Sequence, residues 1–244
     1  QAQAQAPAQE AAVASGSSAL PAEAEVTAAC VAAGREGAAA SEAQRSAVEA
    51  AVRTCVAAAE AVDGGASEPS CDGSWSLLYC NRGPLARATP FYASLDDVMR
   101  RNGLPATDVF DAMYDIRDLI GADFGRIEQR IDGASLVSEV QLSVGERGVF
   151  PAPLQPLRVT LVTTARLWPA QTSDDGEEGR EQIVETVSTR ASGAPLPLLD
   201  LVEVPVETAF ALVGGAKPVL RTEYVGRSIR VCRLGDVLTV WQRK

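Results

Sequence analysis

The sequence contains no histidine. That absence excludes Ser–His and Cys–His nucleophile pairs, HExxH zinc sites and any imidazole-based pH switch. Lysine occurs only at Lys217 and Lys244, and the formal net charge is −10, so the chain offers no basic footprint to a nucleic acid. The five cysteines include no CxxC pair, which argues against a zinc site or a thioredoxin-type centre. Cys30 and Cys55 lie in alanine-rich, helix-like sequence and read as small buried hydrophobes. No apolar run reaches the roughly 20 residues needed for a helix to cross a bilayer. Nucleophile elbows, P-loops and glycine-rich dinucleotide turns are also missing. Asp132 with Glu128 on one strand face would make at most a weak acid/base pair, so the expectation is a protein without catalysis.

What is present is ample for a core: 244 residues, 46% of them hydrophobic. The opening "QAQAQAPAQEAAVASGSSALPAEAE" is low in complexity, and residues 1–23 read as a leader or transit-peptide remnant. Residues 24–64 read as a helical segment packed on the following domain. Ser41 and Gln44 fit a capping box; Val48, Val52, Cys55, Val56 and Ala59 then recur at helical spacing until Asp63–Gly65. Residues 70–243 read as a β domain. In "DGSWSLLYCN", Trp75, Leu77 and Tyr79 alternate to one face, with Ser74, Ser76 and Cys80 on the other. Between Phe91 and Asp123 helix signals return, with Ser94 or Asp108 as caps and Val109, Met113, Ile116 and Ile120 as a stripe.

Thereafter strands dominate. Ile127, Gln129 and Ile131 share one side of "GRIEQRID"; Leu136, Val140, Leu142 and Val144 share one side of the next segment. Turn signals at Asp132–Gly133 and Gly235–Asp236 bound such segments. The fold class expected is mainly β: an antiparallel barrel of about eight strands, an N-terminal helical segment before it, and short helices near its mouth. A barrel of that size is either filled by side chains or holds one small ligand. Trp75, Leu77 and Tyr79 are expected to face inward, as core or as cavity lining. The acidic loop Ser173–Glu181 reads as solvated charge. The stretch Ser192–Gly215, with its proline punctuation, is either a connection folded over a barrel end or a docking surface.

Three blocks, in order, resemble the plastid lipid-associated proteins, also called plastoglobule fibrillins. "DGSWSLLYCN" is similar to that family's Gly-x-Trp-x-Leu-Leu-Tyr-Thr strand, and "GRIEQRID" to its Ile-x-Gln-x-Ile-Asp strand. "LRTEYVGRSIRVCRLGDVLTVWQR" is similar to its C-terminal hairpin and final strand, and "GREGAAASEAQRSAVEAAV" to the helix before its barrel. The likeness covers about residues 26–243, with Trp75, Tyr79, Gln129, Ile131, Asp132, Tyr224 and Arg230 at motif positions. It implies a lipocalin-like barrel at the thylakoid or plastoglobule surface of chloroplasts. The implied partners are isoprenoid or membrane lipids of the plastoquinone, tocopherol or carotenoid type, with no covalent cofactor. The alternative is a docking module on photosynthetic membrane proteins, its barrel packed and ligand-free. Ligand contacts are expected from Trp75, Leu77, Tyr79, Ile127, Gln129, Ile131, Tyr224 and Arg230, with Gln129 and Arg230 as the head-group donors. Arg230 alternates away from Ile229 and Val231, so an outer-surface ion pair is the competing placement. The chain departs from the pattern in three places. The family's acidic pair after Tyr-Leu is replaced by Gly226–Arg227, Cys80 replaces Thr, and the helical stretch after Phe91 is longer.

Overall fold

The computed structural model describes residues 21–61, 70–82, 88–103, 122–144, 157–170, 181–193, 203–212 and 215–244. Its organisation follows from two periodicities. The alanine-rich N-terminal third forms helix α1 (residues 21–33) and helix α2 (Glu42–Glu60). Ser41 caps α2: its hydroxyl accepts from the Gln44 amide at 3.2 Å, and the Gln44 side chain accepts from the Ser41 amide at 2.9 Å. The helical segment is therefore two helices rather than one. The break at Gly34 has φ of +78°, a left-handed conformation that glycine adopts without a Cβ penalty. Helix α1 also begins inside the stretch read as leader, so residues 21–23 belong to the fold.

The period then becomes two. The strands are β1 (Gly73–Cys80), β2 (Ala122–Asp132), β3 (Ser135–Val144), β4 (Leu157–Pro169), β5 (Glu181–Ser192), β6 (Glu203–Val204), β7 (Val219–Val225), β8 (Ile229–Leu234) and β9 (Val237–Arg243). Helix α3 (Pro90–Arg101) follows β1, and helix α4 (Val206–Leu212) follows β6. The order is β4-β3-β2-β1-β9-β8-β7-β5-β6, every pair is antiparallel, and β4 also pairs with β5. Eight strands therefore close into one ring-like, barrel-like sheet, with the two-residue β6 beside β5. Closure removes the sheet edges that would otherwise invite pairing with other chains. The turn signals hold: Gly133 and Gly235 take φ of +53° and +63° between β2 and β3 and between β8 and β9.

Two buried clusters lie on the two faces of this ring. The inner one gathers Trp75, Leu77, Phe124, Ile127, Ile131, Leu136, Val140, Leu167, Val184 and Trp241 from strands all round the sheet. The outer one joins Val26 and Cys30 of α1 and Val48, Val52 and Cys55 of α2 to Ile229, Val231, Leu238 and Val240. Ile229, Val231, Leu238 and Val240 thus face the outer cluster while Cys232, Val237 and Trp241 face the inner one, as two-sided strands require. Arg233, on the outer face of β8, binds Glu49 of α2 at 2.9 Å and Glu223 of β7 at 2.6 Å, fixing helix to sheet.

Helix α3 starts at Pro90 behind Thr89, so Ser94 is an interior helical residue and not a cap. Its hydroxyl is instead 2.9 Å from that of Thr186 on β5. The expected stripe Val109, Met113, Ile116 and Ile120, the Asp108 cap and most of the acidic loop Ser173–Glu181 lie outside the described residues. So does part of Ser192–Gly215; its described portion includes β6 and α4, where Leu212 is exposed.

Candidate functional site

The ring interior contains one feature that simple core packing does not need. Arg230 of β8 is 1% exposed, and its Nη2 donates to Oε1 of Gln129 on β2 at 2.5 Å. Gln129 in turn donates through Nε2 to the Ala88 carbonyl at 3.3 Å. The guanidinium carbon stands 5.1 Å from the Trp75 ring centre and 5.5 Å from that of Trp241, within cation–π range of both. Both indole N–H groups are satisfied elsewhere, by the Cys71 carbonyl at 2.8 Å and by Thr239 Oγ1 at 2.9 Å. The competing placement of Arg230 on the outer surface is therefore wrong. Ile229 and Val231 face the helices, and parity turns Arg230 inward.

Six of the eight residues expected at the site converge here. Trp75, Leu77, Ile127 and Ile131 line the inner cluster, and Gln129 and Arg230 form the polar pair within it. Tyr79 and Tyr224 do not join them. Pairing of β1 with β9 shifts register between Leu77 and Tyr79, and pairing of β7 with β8 shifts between Thr222 and Tyr224. Each shift is a bulge, and a bulge reverses which face the following residues present. Both tyrosines are thereby turned outward, beneath α1 and α2. The same bulge puts Cys80 in the inner cluster, contrary to its expected outward placement. Asp132 is exposed at the β2–β3 turn, while Glu128 forms ion pairs with Arg126 and Lys244; the two make no acid/base pair.

Sequence reading missed the polar row that continues from Gln129. Gln129 pairs in register with Ser138 of β3, Ser138 with Thr163 of β4, and Thr163 with Thr189 of β5. The Thr163 and Thr189 hydroxyls are 3.1 Å apart. Ser138 is fully buried, and its hydroxyl has no hydrogen-bond partner among the described residues. The signal was present: Ser138 interrupts the Leu136–Val140 parity of "SLVSEVQLSV" at an inward position.

Beneath the helices the chemistry is different. Glu23 of α1 is 2% exposed and accepts from Tyr224 Oη at 2.8 Å and from the amides of Arg227 and Ser228 at 3.0 and 2.9 Å. It also accepts from the Ser228 hydroxyl. A carboxylate thus does serve the β7–β8 turn, supplied from α1 instead of from the turn itself. Burial pushes the Cys30 thiol from its ordinary 9.0 up to about 12, Cys55 to about 11, and the Tyr79 hydroxyl from 10.0 to about 12. Tyr224 moves in the same direction, first by burial and then by its bond to Glu23. These groups are held neutral in the fold. Their stabilising contribution is complete below about pH 9 and is lost as pH rises through 11–12. The helical layer should therefore detach in strong alkali, seen as loss of helical circular dichroism together with thiol alkylation. Cys30→Ala should move that transition upward; thiols that react freely at pH 9 would contradict it.

None of the five cysteines is in a disulfide. Among the described residues no three His, Cys, Asp or Glu side chains are grouped to hold a metal, and no helix is long and apolar enough to cross a membrane. Comparison with protein-family models, with curated proteins and with solved structures found no match.

Proposed function

We propose that this chain is a non-catalytic binding module that holds one amphiphilic lipid inside the ring. The apolar body would lie along the aromatic and aliphatic inner face, and an oxygen-bearing head would meet Arg230 and Gln129. The Arg230–Gln129 pair, buried between Trp75 and Trp241, carries this reading. In a barrel that is only packed a desolvated guanidinium is a poor substitute for an apolar side chain, whereas a ligand oxygen uses its fixed donors. Each methylene buried with the ligand contributes about 0.8 kcal/mol, so a long tail supplies affinity without any catalytic group. The resemblance to plastid lipid-associated proteins suggests the isoprenoid class, with plastoquinone, tocopherol or carotenoid as candidates and a thylakoid or plastoglobule surface as the location.

A second reading, docking to photosynthetic membrane proteins, has one supporting observation. Trp168, Ile183 and Val219 are register partners on β4, β5 and β7, and Trp168 and Val219 are 49% and 40% exposed. Tryptophan fluorescence separates the two. Decyl-plastoquinone should quench saturably at one molecule per chain, with Trp168→Phe retaining the effect and Trp75→Phe reducing it. Quenching that depends on Trp168 alone overturns the interior site and favours docking.

A further inference from the structure

Resting on the binding reading above, we infer that the head group taken by the ring interior is a carboxylate: the ligand is a long-chain monocarboxylic acid. The argument starts from charge. Arginine stays protonated in proteins, so Arg230 brings a full positive charge to a position 1% exposed. Among the described residues no carboxylate pairs with it; its partners are the neutral Gln129 and the faces of two indoles. Buried charges are ordinarily paired, because leaving water is costly. Among the described residues the other buried charge, Glu23, is paired thoroughly, since it receives four hydrogen bonds.

Two orphaned polar atoms sharpen the assignment. Arg230 Nε and Ser138 Oγ are both buried without a hydrogen-bond partner among the described residues. They belong to one constellation, because Gln129 is bonded to Arg230 and is the register partner of Ser138. A buried donor left unmade is expensive, so a pair of them on either side of one glutamine marks a place for an acceptor. A carboxylate has two oxygens and can accept from the guanidinium and the serine hydroxyl together. Its single negative charge also balances a single arginine. A phosphate monoester, with about −1.5 to −2 charges at neutral pH, would leave a net negative charge in an apolar interior. A neutral quinone would accept hydrogen bonds but leave the charge uncompensated.

The test uses cis-parinaric acid and its methyl ester, two fluorescent probes with the same tail. The purified full chain should bind the acid about tenfold or more tightly than the ester, as expected for a charge-assisted contact. Arg230→Met should remove that preference, so that acid and ester bind alike. Ser138→Ala, a small change that leaves the guanidinium in place, should weaken acid binding several-fold and serves if Arg230→Met does not fold. Equal binding of acid and ester by the native chain overturns the carboxylate assignment and leaves the interior site standing. Failure of both probes to bind overturns the interior site itself.

Discussion

Replacing Glu23 by alanine should destabilise the protein by about 3 kcal/mol, measured by urea denaturation. The carboxylate is buried and is the acceptor for Tyr224, for two turn amides and for the Ser228 hydroxyl. Bonds to a charged acceptor contribute about 1.5–3 kcal/mol each, but Arg227 and Ser228 are exposed and their amides regain water, so the full sum is not lost. Glu23→Gln should recover little, because its amide nitrogen would turn a donor toward donors. The position also couples to Gly226. A Cβ there would overlap Glu23 Oε1 and lie 2.5 Å from Tyr224 Oη, so Gly226→Ala breaks the same contacts. The double variant should therefore cost much less than the sum of the singles. Hydrogen exchange should localise the loss to α1, released from the β7–β8 turn while the ring persists. A loss below about 0.5 kcal/mol, the range of ordinary surface changes, would mean that the carboxylate does not anchor the helix.

Glu23 also shows where sequence reading fails. Its neighbours are alanine, proline and glutamate, a composition that describes a solvated leader as well as a docked helix. What distinguishes them is a bond to Tyr224, 201 positions away, and no local pattern carries that. By contrast, the capping box at Ser41 and Gln44 is a local device with a local signature, and it forms as read. The strands are legible for the same reason: alternation is a short-range property, and Trp75, Leu77, Ile127, Gln129 and Ile131 share the inner face as alternation requires. The reversals at Tyr79 and Cys80 have one cause, and Tyr224, placed from the family resemblance and not from alternation, meets the same device. A bulge adds one residue and reverses parity beyond it, yet nothing in "SLLYC" or "TEYV" announces it. The face a residue presents is thus legible up to each bulge and reversed after it. Arg230 was ambiguous on different grounds: alternation away from Ile229 and Val231 suggests the outer surface only if those two face the interior, and they face the helices instead, so the same parity turns Arg230 inward.

The Arg230–Gln129 pair yields the other large effect, and here the sign is the diagnostic. Replacing both residues with apolar ones of similar length, Arg230→Met with Gln129→Leu, should leave the ligand-free protein as stable as the native chain or more stable, by about 1–4 kcal/mol. The reason is the balance already described: a buried cation that gains one hydrogen bond at 2.5 Å and two aromatic faces, set against the cost of removing a guanidinium from water. Arg230→Met alone should not show this gain, because it leaves Gln129 Oε1 buried without its donor, at about 1–3 kcal/mol. The order expected in denaturation is therefore double variant, native chain, Arg230→Met, from most to least stable. Binding should follow the opposite logic, with the double variant losing the preference for an acidic head. A pair retained for packing would give a different order: both variants would fall by several kcal/mol as Trp75 and Trp241 lose the group between them. A residue whose removal strengthens the fold and abolishes recognition is held there for what it binds.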